Sequence, residues 1–285
     1  MRRFLKADPL RSVTVSTLVA VLLAAPSQAY SASETPPAKP SFVTATGNLT
    51  VCNSPGFPPL SYYENPGDAQ PVGLDIDLLS HLATSWDAKL KLVAGDFAGL
   101  LPALESGRCD MVVSGILLTD ERQQKFDGVP YMKTSTLLLA ATGNDKISDP
   151  ESLSGRTLSI EAGTVLQKIA DQENEKLKGE GKPEIQVQTY PKAQDCIQQV
   201  LVGRSDAALV QDTEAAYRDK QMPGKFKTVY TFPEAKQFAI YVRKGSGDAA
   251  IVKASIEALN ASGTLKDLLV KWRLPANAGD LSAGQ

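Results

Sequence analysis

Twice along this chain, short apolar runs alternate with helix-period segments, and in both passages the pattern Gly-Arg-x-Asp precedes an apolar run. The first passage has apolar runs at 49–53, 90–93 and 111–114, with helical segments at about 74–86 and 99–106. The second has apolar runs at 157–160, 185–189, 207–210 and 228–232, with helical segments at about 165–177 and 193–202. Such alternation indicates βαβ units on parallel sheets. Gly107-Arg108-Cys109-Asp110 and Gly203-Arg204-Ser205-Asp206 fall at matching points, with the glycine closing a helix and the aspartate opening the next strand. The reading is two similar α/β lobes.

An extended run at 236–243 and two helical segments, about 248–261 and 265–272, follow the second passage. Gly263 and Thr264 between them supply a helix stop and a cap. A helix pair after a completed lobe is expected to pack back on the first lobe, so the chain would cross between lobes twice, near 137–142 and 232–238. In the helix at 74–86, Leu74, Leu78, Leu79 and Leu82 share one face, while Asp75, Asp77 and His81 point elsewhere. His81 reads as a solvated helix residue.

Composition removes several functions. A chain 22% charged and 42% hydrophobic is that of a folded globular protein rather than a disordered one. A net charge of -2 gives no field toward nucleic acid or acidic membranes. One histidine and three scattered cysteines, Cys52, Cys109 and Cys196, are too few for a zinc or iron–sulfur site, so no metal and no cofactor is expected.

The N-terminus is a different kind of sequence. Arg2, Arg3, Lys6 and Arg11 precede an apolar stretch at 13–25 and the small residues Ser27 and Ala29. This reads as a secretory signal peptide over 1–29, its apolar stretch being shorter than the ~20 residues a spanning helix needs. Cys52 lies too far from that stretch to be a lipid-attachment site. Residues 30–46, rich in Ser, Thr, Pro and Ala, read as a flexible tether, with the fold beginning near Gly47. In an oxidising compartment the three cysteines allow one disulfide and one free thiol, and buried unpaired thiols are an equal alternative.

In parallel α/β sheets, ligands gather at the carboxyl ends of strands. The residues there are Ser54-Pro55-Gly56-Phe57-Pro58-Pro59 with Tyr62, Ser114-Gly115-Ile116-Leu117 leading to Thr119 and Arg122, Glu161-Ala162-Gly163-Thr164, and Gln211-Asp212. Together with Gly73-Leu74-Asp75-Ile76-Asp77-Leu78, Phe97, Leu101-Pro102-Ala103-Leu104, Pro130-Tyr131 and Asp206, their order and spacing resemble the bacterial extracellular solute-binding proteins of the polar amino-acid type, the capture subunits of ABC importers. The resemblance covers about 47–275.

That resemblance implies a two-lobed type II periplasmic-binding-protein fold with an interlobe ligand cleft and two hinge strands. Lobe 1 would be 47–137 with a return at 236–275, lobe 2 would be 138–235, and 276–285 would be a tail. It implies a periplasmic monomer that binds an amino acid or related zwitterion, closes by hinge bending and delivers the ligand to membrane permease subunits, with no catalysis. Arg122 would clasp the ligand carboxylate, a planar match that Lys lacks. Asp212 would accept the ammonium, Phe57, Tyr62 and Phe97 would wall the ligand, and backbone at Gly115, Gly163 and Thr164 would complete an anion cradle.

Two positions depart from the family pattern. Leu117 stands where a Ser or Thr is usual, and Glu161 where Gln, Lys or Arg is common. A carboxylate in the cleft needs a partner, so Glu161 points to a ligand with a cationic side chain. The rival function is a secreted cyclohexadienyl or arogenate dehydratase-like enzyme, a group that resembles these proteins closely, with Glu161 as its acid. A membrane-receptor sensor is disfavoured because the sequence has no second apolar span.

Overall fold

The computed structural model describes residues 38–281. The signal-peptide reading, residues 30–37 of the expected tether and the last four residues lie outside the described residues.

In chain order the first half carries α1 (Ser41–Thr46), β1 (Asn48–Asn53), the hairpin β2 (Gly56–Phe57) and β3 (Ser61–Tyr62), α2 (Leu74–Ser85), β4 (Lys89–Ala94), α3 (Leu100–Glu105), β5 (Met111–Val112), α4 (Asp120–Lys125) and β6 (Phe126–Thr134). The second half carries β7 (Thr136–Ala141), β8 (Thr157–Glu161), α5 (Leu166–Gly179), β9 (Gln186–Tyr190), α6 (Ala193–Leu201), β10 (Ala207–Gln211), α7 (Asp212–Gln221) and β11 (Phe226–Thr231). The chain returns through β12 (Lys236–Arg243), α8 (Asp248–Ala261) and α9 (Thr264–Lys271).

Two five-stranded sheets result, ordered β4-β1-β5-β12-β6 and β11-β7-β10-β8-β9. Each has a parallel core: β1 pairs with β4 and β5, and β8 with β9 and β10. Beside the expected parallel units, β12 runs antiparallel to β5 and β6, and β7 runs antiparallel to β10 and β11. The antiparallel strands adjoin the crossings, where the chain leaves one sheet and comes back to it. The first crossing is at Ser135, between β6 and β7, slightly before the stretch expected; the second lies between β11 and β12.

The Gly-Arg-x-Asp repeat has a physical explanation. Gly107 and Gly203 both take positive φ, 76° and 71°, where a Cβ is strained. Each aspartate then grips the start of the neighbouring strand at two points. Asp110 N donates to Thr50 O while its carboxylate accepts from Thr50 N, and Asp206 does the same to Thr157 O and N. The repeat is thus a sheet-starting clamp used once per lobe.

Helices cover both faces of each sheet, which is why β10 reads as an unbroken apolar run. Leu209 packs with Leu158, Ile160 and Leu166, whereas Ala208 and Val210 face Cys196, Ile197 and Val200 of α6. In the first lobe, Leu74, Leu78, Leu79 and Leu82 of α2 join Leu265 and Leu269 of α9. Fully buried Trp86 donates its indole N–H to Ser255 Oγ at 3.0 Å, tying α2 to α8. The returning helices therefore pack on the first lobe, as the sequence implied.

Three sequence expectations differ from the structure, and one open question is resolved. The tether's last six residues form α1, with Phe42 and Val43 buried and Ser41 hydrogen bonded to Asp248 through both its N and Oγ. A Ser- and Thr-rich average had hidden that apolar pair. In the stretch read as a tail, Ala278 is buried and its carbonyl accepts from Lys133 N. Asp75 is not on the outer face of α2: it is fully buried, accepting from Tyr131 Oη at 2.6 Å and Gly115 N at 3.1 Å. Cys52 and Cys109 form a disulfide, which resolves the open cysteine question, and Cys196 is a buried free thiol. Adjacent elements explain the pairing, since β1 and the loop before β5 lie side by side.

Candidate functional site

The carboxyl ends of β1, β5, β8 and β10 converge on a small cavity of about 30 Å³ between the sheets. Seven of the residues marked from sequence line it: Phe57, Phe97, Gly115, Leu117, Arg122, Glu161 and Thr164.

On the first lobe, Gly115 must be glycine. Its φ is +56°, and a Cβ there would fall 2.4 Å from the Phe57 ring. The buried Asp75 carboxylate holds the Gly115 N–H, so this loop is pinned from beneath. Thr119 caps α4 by accepting from Arg122 N, which sets Arg122 on the first turn. The guanidinium donates from Nη1 to Leu117 O at 2.8 Å, and Tyr241 Oη donates to the same carbonyl at 2.8 Å. Its Nη2 reaches across to Gly163 O on the second lobe at 3.4 Å. Burial pulls the Arg122 pKa below its ordinary value, yet an arginine stays charged.

On the second lobe, Glu161 ends β8 and is only 8% exposed. Burial, reinforced by the negative charge of Glu214, pushes its pKa up to about 8, against the Ala193 N–H donating to it. Thr164 Oγ1 donates to Glu161 O at 2.7 Å, fixing the turn before α5. The cavity therefore has a guanidinium on its first-lobe wall and a carboxyl on its second-lobe wall, separated by Phe57, Phe97 and Leu117.

Three marked residues are not brought into this cavity. Asp212 opens α7, but its Oδ1 accepts from Thr134 Oγ1 at 2.7 Å and Thr213 N at 2.8 Å, while its own N donates to Ser135 O. It ties the first crossing, facing a groove with Ala235 and Pro275. Gln211, the preceding residue, lines the cavity instead. The strand-end rule reached the right junction, but the cavity takes the last strand residue, while Asp212 already belongs to α7. Gly163 is not in the lining; its φ is +78° and a Cβ would meet Ala98 Cα at 2.7 Å, so it is a point of lobe contact whose carbonyl receives Arg122. Tyr62 faces a separate interlobe groove of about 520 Å³ with Tyr217 and Trp272.

The sequence reading missed Val165, Leu166 and Ala193 in the cavity wall, and Asp75, Tyr131 and Glu214 behind it. Asp75 and Glu214 sit among helix polar residues, and only the fold shows that each is fully buried.

Two α/β lobes, two crossings and a charged cavity between them define a two-lobed binding-protein fold of the type II periplasmic kind. The family model of bacterial extracellular solute-binding proteins, family 3, matches residues 49–275, and the chain belongs to that family. It is 24% identical over 234 residues to the arginine-binding protein ArgT of Corynebacterium glutamicum, a match covering 82% of this chain and 76% of that protein. An ancestral arginine-binding protein bound to arginine superposes with a TM-score of 0.72 at 28% identity, covering 79% of this chain and 98% of the other. The ancestral amino acid-binding protein AncCDT-1, a precursor of cyclohexadienyl dehydratase, superposes with a TM-score of 0.71 at 27% identity, covering 81% and 97%. Among the described residues, no helix is long and apolar enough to cross a membrane.

Proposed function

We propose that this protein is the capture subunit of an ABC importer for an amino acid with a cationic side chain, working in the periplasm after loss of residues 1–29 and handing its ligand to membrane permease subunits as a monomer. The observation that carries the reading is the pairing of Arg122 and Glu161 in one interlobe cavity. Among the described residues no carboxylate pairs with that guanidinium and no cation with that carboxyl. A zwitterion with a distal cation supplies both missing partners: its carboxylate to Arg122, its side chain to Glu161. Gln211 is the acceptor on offer to the α-ammonium, and Phe57, Phe97 and Leu117 enclose the aliphatic stem. Arginine-binding relatives support the same ligand class.

A cavity of about 30 Å³ has room for roughly two waters. An amino acid therefore enters only if the lobes part, and the crossings at Ser135 and between β11 and β12 are the hinges on which they would do so. Titration calorimetry against arginine, lysine, ornithine, histidine, glutamine and glutamate tests the reading. Arginine-class ligands should bind and glutamate should not; failure of every cationic amino acid to bind overturns it.

A second reading is favoured by Glu161 alone. A buried carboxyl still protonated near neutral pH is placed as a general acid is, and AncCDT-1 is a neighbour in fold. Incubation with prephenate and an absorbance assay for phenylpyruvate decides it.

A further inference from the structure

Glu161 is a buried carboxyl with an acidic neighbour and no cation of its own. On α7, Glu214 is fully buried; its Oε1 accepts from Arg218 Nε at 2.8 Å and its Oε2 has no partner. Arg218 engages Glu214 through Nε, its Nη2 has no partner, and no ion pair joins it to Glu161. On α6, Asp195 adds negative charge near Glu161, the Cys196 thiol is buried beside it, and the Lys192 stem lies over Gly56. On β9, the Tyr190 hydroxyl turns to Gln188. On the first lobe, Arg122 is directed at the Leu117 and Gly163 carbonyls. When the lobes are together, an ionised Glu161 thus faces low dielectric and a second carboxylate with the Ala193 N–H but no cation to offset it.

Resting on the reading of the cavity as the ligand site, we infer that Glu161 makes the choice between cationic and neutral ligands proton-linked: a neutral amino acid is held with a proton on Glu161, and a cationic side chain takes that proton's place. The charge of the closed cavity is then the same in both complexes. A neutral ligand leaves Glu161 its proton, as the raised pKa of about 8 supports. A guanidinium or ammonium beside the carboxyl displaces that proton to solvent.

The consequence does not depend on which conformation the free protein adopts. Its own protonation is common to both titrations and cancels in the difference. The complex with a neutral ligand therefore carries one proton more than the complex with a cationic ligand wherever the pH lies between the two Glu161 values. By linkage, the arginine-to-glutamine affinity ratio grows by about tenfold per pH unit over that window.

The test uses the whole mature protein, with arginine and glutamine as probes. Titration calorimetry at pH 7 in two buffers of different ionisation heat counts the protons moved by each ligand, and a series from pH 5.5 to 7.5 gives the affinity ratio. The expected result is a difference of about one proton, with the arginine-to-glutamine affinity ratio falling toward acid pH. In Glu161→Gln, which keeps the shape of the side chain, the difference should vanish and the ratio should stop depending on pH. A proton difference near zero in the wild type, an arginine-to-glutamine affinity ratio that does not fall as the pH falls, or a difference that survives in Glu161→Gln each overturns the inference while leaving arginine capture standing. Absence of arginine binding overturns the underlying reading of the site.

Discussion

Tyr62 on the first-lobe hairpin and Tyr217 on α7 of the second lobe meet with ring centroids 5.3 Å apart and planes inclined at 61°. Trp272 backs the pair, edge-on to Tyr62 at 6.2 Å. Neither tyrosine touches the cavity that holds Arg122 and Glu161, so their contact belongs to closure and not to ligand. Aromatic pairs contribute about 0.5–1.5 kcal/mol beyond burial. Tyr217→Ala should weaken every ligand by a similar factor, roughly two- to tenfold, and leave their rank unchanged. Calorimetry over an amino-acid panel checks this; a selective loss would place Tyr217 in recognition instead.

Arg122 works as a fork. Nη1 is fixed on Leu117 O of its own lobe, which orients the guanidinium before any ligand arrives, and Nη2 spans to the opposite lobe when the two are together. Truncating one partner of a buried charge pair costs roughly 2–5 kcal/mol, and Arg122→Ala should lower affinity by at least ~30-fold. Arg122→Lys should recover little, because an ammonium cannot hold the carbonyl and present two parallel donors. Wild-type affinity in Arg122→Ala would remove this residue from the site.

Much of this architecture was legible because it repeats locally. The two Gly-Arg-x-Asp clamps, the apolar face of α2 and the strand ends bearing Phe57, Arg122 and Glu161 all follow from periodicity and strand-end position. What the sequence hid depends on contacts between distant segments. Phe42 and Val43 are buried in an α1 that Ser41 ties to Asp248 of α8, and Asp75 is buried only because Tyr131 and Gly115 close over it. Asp212 and Gln211 are adjacent and both accept from the hinge hydroxyl of Thr134, yet only Gln211 lines the cavity, a difference that sequence position does not show. The disulfide likewise joins residues 57 apart in sequence.

That disulfide, Cys52–Cys109, fastens β1 to the loop before β5 within the first lobe. Closing a loop of that length restricts the unfolded chain, for which about 2–5 kcal/mol is typical. The Cys52→Ser, Cys109→Ser double variant should unfold at a temperature lower by several degrees, roughly 2–4 °C per kcal/mol for a domain of this size. Thiol titration of the oxidised protein should find no reactive thiol in the native state and one, Cys196, after denaturation. Three thiols without reductant would refute the pairing.

Stability should fall as the pH rises from about 5 to 8, with the buried carboxyls Asp75, Glu161 and Glu214 as the cause. Burial lifts its pKa from 3.8 to about 7 despite the hydrogen bonds from Tyr131 and Gly115, because neither donor is a charge. Burial lifts Glu161 to about 8 and Glu214 to about 7 in the same way. A carboxyl with a raised folded pKa binds its proton more tightly in the native state. Its contribution is therefore complete below the unfolded value and is lost as the pH climbs through the folded one. For Asp75 alone, three pH units correspond to an upper limit of about 4 kcal/mol. Below pH 4 the slope reverses, since Asp149, held low by the Ser152 N–H and the Ser148 hydroxyl, loses its stabilised charge there. Thermal unfolding from pH 3.5 to 9 should show a maximum near pH 4–5 and a decline toward pH 8. In Asp75→Asn, which has no proton to lose, the decline should be shallower whatever the variant's absolute stability. A melting temperature that is flat or rising between pH 5 and 8 would show that Asp75 ionises freely and is not sealed beneath the Gly115 loop.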